Sequence, residues 1–334
     1  MLIAVTGAAG HVGTNLCVAL LADGHAVRAV DVHEPATAVR HGAEWVRADV
    51  RDAAAMGRAF AGAEIVYHLA AVISIVGGLR GLVREVNVDG VRVVAEAARV
   101  AGVARLVHAS SVHAFDLAAS RSETVDEASP RSVSERLPAY DRSKAAGEAE
   151  LRRVVDRGLD AVTVNPTGII GPIDEAPSRM GSVLLALWRG RLPALVAGGF
   201  DWVDVRDVVN ALRSAADSGR TGESYLISGH RLTVAALALV AARYSPVIRR
   251  VAPMWAVQAV APVAAVVARR TGTSLLPTRE ALHALASFPA IDGTKAEREL
   301  GYRARPIDDT LAALHAYFVH TQRLRRPRAP RSDR

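Results

Sequence analysis

A single cysteine in 334 residues excludes an internal disulfide, and Cys17 falls on an apolar helical stripe where a packed thiol is expected. Lysine is almost absent, with only Lys144 and Lys295 against thirty-nine arginines, so a lysine here is no generic surface cation. The eleven histidines show no His-x-x-Glu-His or Cys/His spacing, so no metal site is expected, and His108 and His113 read as strand and loop residues. A basic-then-apolar leader is also missing, because the first residues read as a β-strand, and the expectation is a cytoplasmic chain. The formal charge of +7 is no argument for nucleic acid: residues 322–334 hold six arginines and one aspartate, and the body is left nearly neutral. That proline-containing tail, 321–334, has little to bury and is expected to be disordered.

Half of the residues are apolar, enough for one large core or two smaller ones. Leu2 to Val5 form an uncharged run, as in a parallel strand covered on both faces, and Val12, Leu16, Cys17, Leu20 and Leu21 then recur at helical spacing. Between them lies Gly7-x-x-Gly10-x-x-Gly13. Gly7 allows a tight turn, Gly10 lets a pyrophosphate approach the backbone, and Gly13 lets the helix pack close to the strand with its N-terminus toward the anion. An ordinary tight turn is the bland alternative.

Further apolar runs at Ala26 to Val30, Trp45 to Ala48, Ile65 to Leu69 and Arg105 to Ala109 alternate with helical patterns, which predicts a doubly wound α/β fold. Asp31 follows the glycine turn by about twenty residues, where a carboxylate can accept hydrogen bonds from ribose hydroxyls. Ser110-Ser111 lie at a strand's C-terminal end, where such sheets place ligands. Tyr140 and Lys144, spaced i and i+4 on one helix, present phenol and ammonium on one face, and an ammonium can lower a phenol's pKa.

Taken together with Tyr67-His-Leu-Ala-Ala71, Asn87-Val-Asp-Gly90, His108-Ala-Ser-Ser111, Tyr140-Asp-Arg-Ser-Lys144, Asn165-Pro-Thr-Gly-Ile-Ile-Gly-Pro172 and Trp202-Val-Asp-Val-Arg-Asp207, these features make the chain resemble an extended short-chain dehydrogenase/reductase of the epimerase/dehydratase superfamily. The segments Gly171-Pro172-x-Asp174, Gly198 to Asp207 and Gly222 to Gly229 look most like its dihydroflavonol-reductase, aldehyde-reductase and 3β-hydroxysteroid-dehydrogenase branch. The resemblance implies a Rossmann-type domain over 1–166 and 200–228, interwoven with a smaller C-terminal substrate lobe over 167–199 and 229–320. It implies a cofactor site drawn from Gly7, Ala9, Gly10, His11, Val12, Gly13, Asp31, Asp49, Val50, Leu69, Ala70, Ala71, Asn87, Ala109, Tyr140, Lys144, Asn165, Pro166 and Thr167. Asp49 would lie by the adenine with Val50 against the ring. Tyr140 would be the proton donor, Ser111 rather than Ser110 the positioning donor, and Lys144 the residue that holds the ribose and depresses the tyrosine pKa. Asn87 is a weaker candidate for the surrounding network, and Lys295 is read as structural.

NAD is expected rather than NADP, because Asp31 repels a 2′-phosphate and no arginine follows before Arg40. Phe200 stands where nucleotide-sugar members commonly carry an arginine, which favours a hydrophobic substrate, with Trp188 and Trp202 either walling the pocket or packing the core. Arg179, Arg189 or Arg191 would supply a phosphate clamp under the sugar reading. A silent cofactor-binding regulator is a third reading, and the presence of Tyr140 and Lys144 weighs against it. A homodimer is expected by family analogy alone. The apolar stretch Val251 to Ala268 contains Pro253, Gln258 and Pro262 and falls short of the roughly twenty residues a span needs, so membrane contact there is the secondary reading.

Overall fold

The computed structural model describes residues 1–75, 77–119, 124–259 and 279–324. Among them are twelve strands: β1 (Leu2–Thr6), β2 (Ala26–Asp31), β3 (Glu44–Arg47), β4 (Ile65–His68), β5 (Arg105–Ala109), β6 (Ala161–Pro166), β7 (Gly168–Ile170), β8 (Leu195–Val196), β9 (Gly199–Asp204), β10 (Ser224–Ile227), β11 (His230–Thr233) and β12 (Val251–Ala252). Seven of them form one parallel sheet in the order β3-β2-β1-β4-β5-β6-β10. This is the doubly wound Rossmann arrangement.

The uncharged runs explain the sheet's interior position. Ile3 and Val5 face one layer, with Leu16, Cys17 and Leu20 of helix His11–Ala22 and Val208 and Leu212 of helix Val205–Ser218. Ala4 faces the other, packed with Met56 and Phe60, with Val91 and Val94 of helix Gly90–Val100, and with Leu151 of helix Ala139–Val155. Cys17 is buried, and burial pushes its thiol up to about 12, the inert packed state expected. The chain winds outward in one direction from β1 through β2 to β3 and in the other from β4 onward, so a crevice opens at the carboxyl ends of β1 and β4.

A second, three-stranded sheet, β11-β9-β7, belongs to the smaller lobe, as does the pair β12-β8. β9 pairs outside the large sheet, and the helix that packs on that sheet begins at Val205. The lobe core gathers Leu184, Leu187, Trp188, Trp202, Leu237, Leu314 and Phe318. Both buried indoles are satisfied there, Trp188 Nε1 donating to Ala241 O at 3.1 Å and Trp202 Nε1 to Leu232 O at 3.0 Å. These two tryptophans are buried in the lobe core.

Lys295 donates to Glu223 Oε2 and Ser224 O, each at 2.7 Å, and ties helix Thr294–Leu300 to the edge strand β10, the structural role expected of it. No helix among the described residues is long and apolar enough to cross a membrane. Residues 260–268 of the apolar stretch and 325–334 of the tail lie outside the described residues.

Candidate active site

The crevice begins at the glycine turn. Gly7 has φ +72°, and a Cβ on it would lie 2.6 Å from Ala70 N, so both the conformation and the end of β4 exclude a side chain. On Gly13 a Cβ would lie 2.1 Å from Gly7 O, which is how the helix comes to pack directly on the turn. Helix His11–Ala22 opens at Gly10 with no side-chain cap and no acid in its first turn, so its first N–H groups stay available to an anion. Asp31 at the end of β2 is fixed beside this turn, accepting from Ala9 N at 3.0 Å and from His33 N at 2.9 Å. Asn15 Nδ2 and the His11 ring both reach Pro172 O at 3.1 Å, fastening the glycine helix to the first turn of the lobe. Uncapped helix, fixed carboxylate and side-chain-free turn together fit the diphosphate and ribose of a dinucleotide.

Other residues expected around the cofactor already make contacts within the protein. Both oxygens of Asp49 receive the Arg51 guanidinium at 2.7 to 3.1 Å, and that contact holds the Asp49 carboxyl below the usual range. Val50 is buried among Val30, Met56 and Val91, in the core and not on an open surface. Asn87 sits in a turn of π-helix, Glu85–Asp89, and spends its amide on Val72 N, Val72 O and Ser143 Oγ at 2.8 to 2.9 Å. It clamps the loop after β4, whose Leu69, Ala70 and Ala71 are half-buried, onto helix Ala139–Val155.

At the end of β5, Ser111 takes extended backbone and its Oγ accepts from His113 N at 3.2 Å. Ser110 Oγ, by contrast, is buried without a hydrogen-bond partner. One turn beyond Tyr140, Lys144 Nζ donates to Ala109 O at 3.2 Å. The expected depression of the Tyr140 pKa is not what this structure holds. Burial pushes the phenol up to about 12, opposed by the Ser111 hydrogen bond and reinforced by Asp141, and burial pulls Lys144 down to about 8. Both shifts have one physical reason: each group is charged in only one of its forms, and a dry site disfavours that form.

His113, read from the sequence as a loop residue, stands beside the site. Its ring stands edge-on to Tyr140 with centroids 5.7 Å apart, and Nδ1 lies 3.2 Å from Asp141 Oδ1. The available signal was its spacing, two residues past Ser111, in the turn that leaves β5. His68 and His108 pair in register on β4 and β5 and stack at 5.1 Å beneath the site. Thr6 Oγ1 meets His68 Nδ1 at 2.7 Å, and burial lowers both imidazoles, His68 to about 3.

Asn165, fully buried at the end of β6, donates to Ser111 O at 3.1 Å and to Glu148 Oε1 at 2.6 Å. Beyond Pro166, Thr167 Oγ1 donates to Asp201 Oδ1 at 2.6 Å, and Gly229 N donates to the same oxygen, joining the two lobes around a carboxyl that burial raises. Phe200, half-buried, stands edge-on to Trp202 at 5.2 Å.

The sequence profile of the NAD dependent epimerase/dehydratase family matches residues 3–228. The chain belongs to that family. It is similar to Sterol demethylase protein B of Methylococcus capsulatus, 41% identical over 69% of this chain and 70% of that one. A putative dihydroflavonol 4-reductase of Synechocystis is 30% identical over 95% of this chain and 94% of that one. UDP-glucose 4-epimerase of Mycolicibacterium smegmatis is 35% identical over 66% of this chain and 75% of its own length. The family is one of NAD-dependent enzymes, and the glycine turn, Asp31 and the Ser111-Tyr140-Lys144 group of this chain fit that chemistry.

Proposed function

We propose that the protein is an NAD-dependent oxidoreductase that interconverts a hydrophobic ketone or aldehyde and its alcohol, with sterol-like alcohols the first class to test. The observation that carries this reading is the half-buried Phe200 where a diphosphate substrate would need a cation. Two of the arginines that would have to replace it bind backbone instead: Arg189 donates to Arg323 O at 2.6 and 3.0 Å, and Arg179 to Ile73 O at 3.3 Å. Similarity to Sterol demethylase protein B and to a putative dihydroflavonol 4-reductase supports the same class. Arg191 and the similarity to a UDP-glucose 4-epimerase favour the sugar alternative.

Bound NADH supplies the hydride. In reduction, the Tyr140 phenol, protonated through the physiological range, donates its proton to the substrate oxygen as negative charge develops there. Ser111 donates its hydroxyl proton in a hydrogen bond toward the same oxygen. Lys144, anchored on Ala109 O, keeps a positive charge beside the phenolate that proton transfer leaves behind. The burial that raises the phenol in the resting site also strengthens that charge interaction.

The test is turnover of purified protein with NAD(H) and NADP(H) against sterols, flavanones, aldehydes and UDP-sugars. Net NADH consumption or formation with an apolar carbonyl or alcohol is expected. UDP-sugar conversion without net change in NADH absorbance would overturn the reading.

Cofactor choice gives a second expectation. Asp31 stands beside the glycine turn, and the arginines nearest in sequence are occupied: Arg28 by Glu44 Oε2, Ala59 O and Ala61 O at 2.8 to 3.0 Å, and Arg40 by Glu34. A 2′-phosphate would therefore meet a carboxylate without a cation to offset it. Fluorescence titration should give NADH at least about tenfold tighter than NADPH, with the gap closing in Asp31→Ser.

A further inference from the structure

Each reduction takes one proton from Tyr140 that solvent must return, yet Ser111 and Lys144 are buried, at 7% and 4% exposure. His113 is the titratable ring at that boundary. It sits in a single turn of 3₁₀ helix, Val112–Ala114, directly after Ser111, and its own N–H donates to Ser111 Oγ at 3.2 Å. The turn is braced by backbone: Ala114 N donates to Ser111 O at 3.0 Å, Phe115 N to Val112 O at 3.0 Å, and Ser132 N to Ala114 O at 2.9 Å. From it the imidazole reaches across to helix Ala139–Val155, edge-on to Tyr140 with centroids 5.7 Å apart and with Nδ1 3.2 Å from Asp141 Oδ1. The Asp141 side chain is 12% exposed, whereas that of His113 keeps 25%. Nδ1 is buried against the carboxylate, and Nε2 has no hydrogen-bond partner among the described residues. A carboxylate beside Nδ1 draws the ring proton to that nitrogen, which fixes the ring and leaves Nε2 to exchange a proton.

We propose that His113 is the proton-transfer partner of Tyr140, the port through which the phenol exchanges its proton with solvent, with Asp141 positioning the ring. In reduction, Tyr140 gives its proton to the substrate oxygen and is left as a phenolate. The N–H bond at Nε2 of the protonated imidazole then breaks, and its proton forms the new O–H bond of Tyr140, directly or through one water. The neutral imidazole recovers a proton from solvent through its exposed edge. In oxidation the same transfers run in reverse. No electrons move in this step, because hydride passes only between cofactor and substrate.

The inference rests on the oxidoreductase reading, and its test keeps the two apart. Steady-state reduction of the best apolar carbonyl from the panel is compared in the unmodified full chain, His113→Ala and His113→Asn, with NADH titration reporting that each variant is folded. His113→Ala should lose about tenfold in kcat with NADH affinity within about twofold, and its solvent deuterium isotope effect should rise as proton return becomes slow. Added imidazole, which enters the space the ring leaves, should return kcat by at least about threefold, rising with its concentration. His113→Asn keeps a side-chain N–H for Asp141 but has no nitrogen that releases a proton, so it should stay slow, and it serves if His113→Ala does not fold. Unchanged kcat in His113→Ala, a loss that imidazole does not recover, or full activity in His113→Asn, the mark of packing alone, would each overturn the proposal. UDP-sugar conversion without net change in NADH absorbance by the unmodified protein would overturn the underlying reading and the port together, since that cycle returns its own proton.

Discussion

Tyr140→Phe should lose about a thousandfold in kcat while keeping NADH affinity within about threefold. The phenol oxygen is the acid the reduction needs, whereas the ring itself packs edge-on against His113. Phenylalanine preserves that packing and removes the proton. Stopped-flow reduction of the best substrate from the panel, with NADH titration in parallel, separates the two. Near-normal turnover in a folded, cofactor-binding Tyr140→Phe would refute Tyr140 as the acid. The pH dependence should follow Lys144 and not the phenol. With Tyr140 raised to about 12 and Lys144 lowered to about 8, reduction is supported below about pH 8 and declines above it, as the ammonium beside the nascent phenolate is lost.

Gly13→Val should cost at least about 3 kcal/mol of stability, a fall in Tm of roughly 6–10 °C, and weaken NADH binding more than about tenfold. The loss arises because a Cβ at Gly13 meets backbone on the glycine turn, Gly7 O at 2.1 Å and Ala8 Cα at 2.8 Å, with no flexible side chain to yield. The helix must lift off the strand end, and its N-terminus moves with it. Gly57→Ala is the control. It lies within helix Ala53–Phe60, a Cβ there meets nothing within 4 Å, and it should raise stability by up to about 1 kcal/mol without touching cofactor affinity. Thermal denaturation of the two variants beside NADH titration checks both, and an unchanged Tm in Gly13→Val would contradict the packing argument.

Much of this fold is local and is legible for that reason. An uncharged run followed by Gly7, Gly10 and Gly13 specifies strand, turn and helix within a dozen residues, because strand burial, a left-handed turn and close helix packing each demand a residue type at a fixed spacing. The i, i+4 spacing of Tyr140 and Lys144 likewise places them on one face without knowledge of what that face meets. The placing of Asp31 and Ser111 at strand ends, and the alternation of strands and helices, follow from the same regularity.

What the sequence could not supply depends on groups that meet from distant parts of the chain. Trp188 and Trp202 read equally well as pocket wall or core until the carbonyls of Ala241 and Leu232 are found on their indoles. That Asp49 receives Arg51, and that Asn87 ties Val72 to Ser143, is likewise visible only once the chain is folded. The direction of the Tyr140 shift was misread because spacing reports the nearby ammonium and is silent on desolvation, which arises only when strands, helix and loop close over the phenol. Glu148 shows the limit most plainly: its helical spacing from Lys144 is written in the sequence, but its link to Ser111 passes through Asn165, contributed by a separate strand. The sequence by itself determined the glycine turn, the sheet and the Tyr140-Lys144 face, where the physics acts over a few residues, and the tertiary structure alone decided the charge balance and the packing around them, where it acts across the sheet.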